Sequence, residues 1–572
     1  MNRNSKVLPI LFMFMPILIW VFVIFYYSVN LPWYDDFDPF PDFLHKWMID
    51  TDLSNRMHLL FQPNNEHRMV VGKLVTLIYY WTTGQLNFTF LHIAGGIFTL
   101  GTLILFWRAF EKSRLSWWYF LPVPFLLFQL QFHLAFLWAI CGLQHPPVVF
   151  FATLSMFLLA RNRFGWAALA GVCATYAMSS GIFVWPAGIV VLLIGSHYKQ
   201  LIVWCVAAVF AVGFYFYGLS AQGNESSVTF LIQNPHLPVL GFFAFLGGLF
   251  DFFPEKPILV RSVLPVIMGF LVMIWVVIWL VRQIMPWLKY TLNWPKQSPK
   301  WSQQQSEGSL EVKTFRVFLV GILTFLLVDA LVIGLLRTRF GFFVMIVSNY
   351  KIYPALFLTI AYLAFISSAT RDNVRKLGFR ISVVTSILIW GISMYSYLPV
   401  ISERQKYYTV NGYNQEFNGY GLGHVPYSES AAYVDILMKD MVRRGIYRYP
   451  PIGEQLASMA ALLQTDISGS KEFRVEDRDS VYYVKADNRS LSYAKDNIQC
   501  VFVRNQERLY LFKLEPFKYS GRNIFRQYDK GSDVLIPYLS LLPGTYDLGV
   551  MNALDGKVEG GILRKVTVPM DN

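Results

Sequence analysis

Charge is scarce in this chain. Asp, Glu, Lys and Arg together make up 15% of its 572 residues, against 55% hydrophobic residues. With a mean hydropathy of +0.41, so little charge excludes a soluble globular protein of this length. The bilayer must be its solvent. Cysteine is scarce too: Cys141, Cys173, Cys205 and Cys500 are all there is, and no two have the spacing of a metal or redox motif. Only Cys500 lies in the C-terminal part, which therefore closes no disulfide of its own. Internal repeats are missing, and so is low complexity outside the polar 297–309 stretch. The first apolar run, Val7 to Tyr27, follows Arg3 and Lys6 but ends without a small-residue cleavage site, so a retained signal anchor is expected.

What the chain does have is apolar runs of about 20 residues, long enough to cross the hydrocarbon as helices, recurring up to Val400. Aromatics at 17%, with 17 Trp and 32 Tyr, suit many helix ends at the headgroup level. The formal charge of +13 is read as topology and not as a nucleic-acid partner, because basic residues gather in cytoplasmic loops. Such clusters occur at Arg108, Lys112 and Arg114, at Arg161 and Arg163, from Arg282 to Arg316, and from Arg371 to Arg380. Residues 29–66 carry Asp35, Asp36, Asp38, Asp42, Asp50, Asp52 and Glu66, and 219–236 has no Lys or Arg, so both are assigned to the external side.

Threading helices between these loops gives about eleven crossings, with the N-terminus inside. Two stretches carry alternatives that are coupled, because changing one alone would move the basic 282–316 loop outside. Residues 165–196 are read as a hairpin broken at Ser179-Ser180-Gly181, and 237–254 as a re-entrant segment. The expected fold is a multi-pass α-helical membrane domain over 1–401, with 29–68 its first external loop, and an external C-terminal domain over 402–572. That domain is expected to be α+β or β-sandwich-like. Its helix Ser430–Arg444 has an apolar face of Val434, Leu437, Met438, Met441 and Val442 and a stop at Gly445. A second helix is expected over Glu454–Leu463. Strands are expected at Val481–Lys485, Ile498–Val503, Leu509–Leu514 and around Tyr546, Leu548 and Val550, with a hairpin turn at Asp555-Gly556.

Three external elements carry chemistry. Pro32-Trp33-Tyr34-Asp35-Asp36-Phe37-Asp38 follows the first helix directly and sets three carboxylates at the membrane surface. Crowded carboxylates repel; they persist if solvated, if a divalent cation bridges them, or if one is held protonated as an acid or base. A plain solvated loop is the competing reading. The second element is Asn64-Asn65-Glu66-His67-Arg68, followed by Lys73. His and Glu there suit proton transfer or a metal and the cations an anionic group, against a reading of ordinary helix capping. The third, Arg337-Thr338-Arg339 with Ser348-Asn349-Tyr350-Lys351, puts three cations at one external interface, which invites a lipid phosphate or plain snorkelling.

The order of these elements resembles the GT-C superfamily of polyprenyl-phosphate-sugar glycosyltransferases, which includes protein O-mannosyltransferases and the aminoarabinose transferases of lipid A. It is most similar to bacterial membrane glycosyltransferases with an Asp-Asp first loop and an Asn-Glu-His-Arg segment. Gln131 to Gln144 with Trp138, Ser179-Ser180-Gly181 through Trp185-Pro186, and Arg337 through Tyr350 extend the resemblance, which covers roughly residues 1–400. Where such proteins show Arg-Tyr near the later helix, this chain has Asn349-Tyr350-Lys351, which shifts the expected phosphate contact to Lys351 or to Arg337 and Arg339.

The resemblance implies an inverting glycosyltransferase of the bacterial inner (plasma) membrane with a periplasmic or extracellular C-terminal domain. Asp35 or Asp36 would be the catalytic base, and Glu66, His67, Arg68, Arg337, Arg339, Tyr350 and Lys351 would bind substrate. A divalent metal, Mg or Mn, would find ligands in Asp36, Asp38 or His67. Implied partners are a polyprenyl-phosphate-linked sugar, an envelope glycan, lipid or protein acceptor, and membrane lipids. A lipid-linked glycan polymerase or ligase, a non-enzymatic envelope scaffold and a transporter are the alternatives. Transport is disfavoured because ionisable residues are read as gathered at helix ends.

Overall fold

The computed structural model describes residues 4–65, 67–219, 225–291, 310–487, 491–521, 523, 525–554 and 557–569. Among the described residues, seven helical stretches are long and apolar enough to cross a membrane: α2 (Phe88–Ser113), α3 (Ala139–Ala160), α6 (Tyr198–Phe216), α8 (Ile258–Met285), α9 (Glu311–Phe340), α10 (Ser348–Ser368) and α11 (Asp372–Asn418). Four shorter apolar helices accompany them: α1 (Leu11–Tyr27), α4 (Phe164–Ala177), α5 (Ser179–Ile194) and α7 (His236–Leu246). The chain divides into two compact units, one of Met1–Phe22, Met57–Val75 and His92–Met394, the other of Val23–Arg56, Thr76–Leu91 and Tyr395–Asn572.

In the first unit α4 and α5 form the expected hairpin. Gly171 lies against Val184 and Trp185, Gly181 backs onto Ala174, and the Trp185 indole N–H donates to Thr175 Oγ1 at 3.0 Å, an antiparallel register with Ser180 at the tip. At 1.5 Å per residue the arms are about 21 and 24 Å long, short of a hydrocarbon core of roughly 30 Å. The segment expected to be re-entrant holds α7, which at 11 residues is half a span, followed by a turn at Gly248–Phe250. Helix α7 meets α8 backbone to backbone. A Cβ on Gly247 would stand 1.9 Å from the Pro265 carbonyl oxygen, so glycine is required there.

The second unit is a β-sandwich backed by helices. Its two antiparallel four-stranded sheets have the orders β1-β2-β6-β5 and β4-β3-β7-β8. The strands are β1 (Phe473–Arg478), β2 (Val481–Ala486), β3 (Ile498–Arg504), β4 (Leu509–Lys513), β5 (Glu515–Lys518), β6 (Tyr528–Pro537), β7 (Gly544–Leu554) and β8 (Lys557–Val568). Tyr482, Val484 and Ile536 of one sheet pack with Val501, Val503, Leu548, Val550 and Val566 of the other. The far face of the second sheet is covered as well: Cys500, Phe502, Leu511 and Met551 meet Val410 and Tyr413 of α11 and Leu456 and Ala460 of a helix spanning Ile452–Leu462. With both faces buried, β3 reads as a continuous apolar run and not as an alternation.

The expected boundary near Ser402 does not interrupt the backbone, because α11 continues to Asn418. Polar residues begin there, yet Val410 and Tyr413 supply an apolar face that keeps the helix against the sheet. The helix α12 (Glu429–Arg443) starts one residue earlier than expected, its N-cap Ser428 accepting from the Ala431 N–H, and Gly445 follows it at φ 72°. Strands β7 and β8 pair as a hairpin, while its turn residues Asp555 and Gly556 lie outside the described residues.

Candidate functional site

The acidic segment belongs to the second unit. Tyr34 takes a left-handed backbone (φ 46°), and the turn it opens lets Asp36 Oδ2 accept the Trp33 N–H at 2.9 Å. Asp36 is thereby buried at 1% exposure, Asp35 is half-buried and Asp38 is exposed. Asp42 accepts from Lys46 at 2.6 Å and from the Tyr433 hydroxyl at 2.5 Å. Partial desolvation by the protein around it, then the neighbouring Asp42 charge, raises the Asp38 pKa, while burial lowers that of His424 against the pull of Asp38. His424 packs its ring edge to face on Phe37, 5.3 Å between centroids. Crowding is thus relieved by a cap, by hydroxyl and ammonium donors and by water.

The second element lies in the first unit. Asn64 and His67 exchange backbone hydrogen bonds of 2.8 and 3.0 Å around Asn65 at φ 52°, and Glu66 lies outside the described residues. Arg68 is buried. Its Nε donates to the Tyr215 carbonyl at 2.7 Å, and its two other nitrogens donate to the carbonyls of Phe61 and Tyr217. Lys73, equally buried, donates to the carbonyls of Leu59 and Gln62 at 2.9 and 2.7 Å. These are carbonyls at helix C-termini, which lack intrahelical partners and attract cations. Both side chains serve as clamps between helix ends.

The remaining elements converge in the first unit on a buried polar cluster. Tyr353 is its centre: the hydroxyl lies 3.1 Å from His145 Nδ1 and 3.2 Å from Ser180 Oγ at the hairpin tip. His133 Nδ1 stands 3.2 Å from Ser348 Oγ, the Asn349 amide 3.5 Å from His145 Nε2, and Gln131 donates to the Leu249 carbonyl at 2.8 Å. The His145 ring is also edge-on to Tyr350, with 5.3 Å between centroids, and lies within electrostatic reach of His67. Residues spread over more than two hundred positions of sequence are thereby gathered in one place.

Lys351 does not point to solvent. It is 1% exposed and its ammonium lies 2.7 Å from Asp251 Oδ2, a carboxylate that Arg261 also holds through two hydrogen bonds of 2.7 and 3.1 Å. Arg337 and Arg339, both half-buried, set their guanidinium groups 5.7 and 4.5 Å from the Phe340 ring centroid. Asp329, in α9, is fully buried, and neither carboxyl oxygen has a hydrogen-bond partner among the described residues. Asp251, Arg261, Asp329, His145 and His133 were not singled out from the sequence. Asp329 had a plain signal: a lone carboxylate inside an apolar run, against the expectation that ionisable residues keep to helix ends.

Among the described residues, no group of three or more His, Cys, Asp or Glu side chains is placed to hold a metal ion. The chain matches no protein-family model, no curated protein and no solved structure.

Proposed function

We propose that the chain is a membrane glycosyltransferase that moves a sugar from a polyprenyl-phosphate donor to a glycan, lipid or protein acceptor of the cell envelope. In this reading it threads a bacterial plasma membrane about eleven times and carries its sandwich domain outside. One observation carries the reading: the stretches that resemble the GT-C family, Gln131 to Gln144, Ser179 to Pro186 and Arg337 to Tyr350, supply His133, Ser180 and Ser348 to one buried polar cluster around Tyr353. Apolar side chains would fill that space without desolvating imidazole, amide and hydroxyl groups. A polar cluster assembled from distant segments is therefore better explained by a task than by stability.

The chemistry needs few groups. An acceptor hydroxyl gives its proton to Asp35 or Asp36 as its oxygen attacks the anomeric carbon. The bond from that carbon to the phosphate oxygen breaks, and the electron pair departs on the phosphate. A single displacement inverts the centre. Arg337 and Arg339 are the candidate cations for the leaving phosphate, with His67, Glu66 and Tyr350 as further substrate contacts, while Lys351, held by Asp251, and Arg68 position their segments.

Purified protein in sealed liposomes, offered a polyprenyl-phosphate sugar or the matching nucleotide sugar, tests this reading. Transfer from the lipid donor is expected, because nucleotide sugars are made in the cytoplasm and would meet the opposite face. Transfer from the nucleotide sugar alone would overturn it. Asp329 favours a second reading, transport, whose mark in the same liposomes is substrate-dependent proton movement without sugar transfer.

A further inference from the structure

The sandwich unit contains a cleft that the transferase reading does not use. Glu403 and Lys406 of α11, Asn497, Lys513 of β4 and Ser532 of β6 line it, together with Ser492. The cleft is partly open and its cavity volume is about 30 Å³, room for about two waters or for one phosphate or carboxylate group.

Its charges are unevenly buried. The Lys513 ammonium lies 2.7 Å from Glu403 and 2.9 Å from Glu515, and that of Lys406 lies 2.9 Å from the same Glu403. The side chains of Lys513, Lys406 and Glu403 are 2%, 5% and 13% exposed, whereas that of Glu515 is half in water. Two enclosed ammonium groups share one enclosed carboxylate, and the second carboxylate, Glu515, meets Lys513 from the watery rim, so the inner end of the cleft holds more hydrogen-bond donors than acceptors.

Donors stand ready for an anion. Lys406 spends one N–H on Glu403 and one on the Ser492 carbonyl at 2.5 Å, and its third has no partner among the described residues. The Ser532 hydroxyl, on a residue 3% exposed, has no partner among them either. The Asn497 amide oxygen is likewise without one, and a half-turn of that amide presents its NH₂ instead.

We propose that this cleft is a binding site for a small oxyanion, a phosphate or carboxylate group received by Lys406, Ser532 and Asn497. The anion comes free from solution or carried on an acidic sugar, and the same groups recognise both. The inference stands whether or not the chain transfers sugars.

Calorimetric titration of the full chain in non-ionic detergent, at fixed ionic strength in chloride, tests it with inorganic phosphate, glucuronate and glucose. At least one anion is expected to bind and glucose is not. Tighter binding of glucuronate would identify a sugar-borne group, and tighter binding of phosphate a free one. Lys406→Gln is expected to weaken the anion at least tenfold and Ser532→Ala several-fold. The serine variant removes only a hydroxyl, so it carries the test if Lys406→Gln fails to fold. Binding of glucose as tight as glucuronate, no binding of either anion, or folded variants that bind like the wild type would overturn the proposal.

Discussion

In the acidic segment four carboxylates fall within eight residues, Asp35 to Asp42, and Asp36 and Asp42 bond to groups near in sequence or at the surface. Around Tyr353 the polar groups arrive one at a time, from α3, α5 and α10, and nearly all are buried. A dense run of charge is tolerated because caps and water absorb it. A lone buried charge has neither: Asp251 is matched by Lys351 and Arg261, while Asp329 inside α9 has no hydrogen-bond partner among the described residues. What is conspicuous in the sequence is therefore energetically mild, and what is inconspicuous is energetically severe.

That contrast can be broken by substitution. The largest effect is expected at Asp251→Ala, which takes away the carboxylate that Lys351 and Arg261 share. A loss of about 3–5 kcal/mol is expected, read as a steep fall in thermal stability in detergent. Asp36→Asn keeps a side chain able to cap the Trp33 N–H and should change stability by less than about 1 kcal/mol. Equal losses for the two variants would remove the distinction between the regions.

Arg68→Gln comes next. It deletes charge-assisted bonds to three helix-end carbonyls, and a loss of about 1.5–3 kcal/mol is expected in the same assay. A variant as stable as the wild type would mean that those carbonyls find other donors.

The smallest effect is a pH dependence at the surface. A hydrogen bond from His45, then one from Arg444, holds the Asp440 pKa down from 3.8 to about 2. A depressed carboxyl stabilises the fold above its unfolded value, near pH 4, and loses that contribution as pH falls through 2. Asp440→Asn should flatten the stability curve between those limits and leave neutral pH nearly unchanged. A curve as steep as that of the wild type would assign the acid loss to other groups.

The same contrast explains how much the sequence could tell. Helix α12 was legible to within a residue, because one face repeats at helical spacing between a serine cap and Gly445. The hairpin at Ser179-Ser180-Gly181 was legible from its small polar break. Strands β1, β5, β6 and β8 were not: β6 begins with Tyr-Asp-Lys-Gly-Ser-Asp and β8 holds two glycines, so neither alternates cleanly, and their pairing with β2 and β7 supplies what the pattern lacks. Among site residues, motifs pointed to Tyr350 and Lys351, but not to Asp251 or Arg261. A partner that comes a hundred residues earlier, from a turn and a helix start, leaves no local signature.

Turnover by Asp35→Asn and Asp36→Asn tests the central claim most directly, measured with a polyprenyl-phosphate sugar on variants that insert and fold normally. Each change keeps shape and removes basicity. At least one variant should lose about a hundredfold or more in rate, the usual contribution of a positioned base. Rates within a few-fold of the wild type for both would contradict the account and leave the acidic segment as a solvated turn.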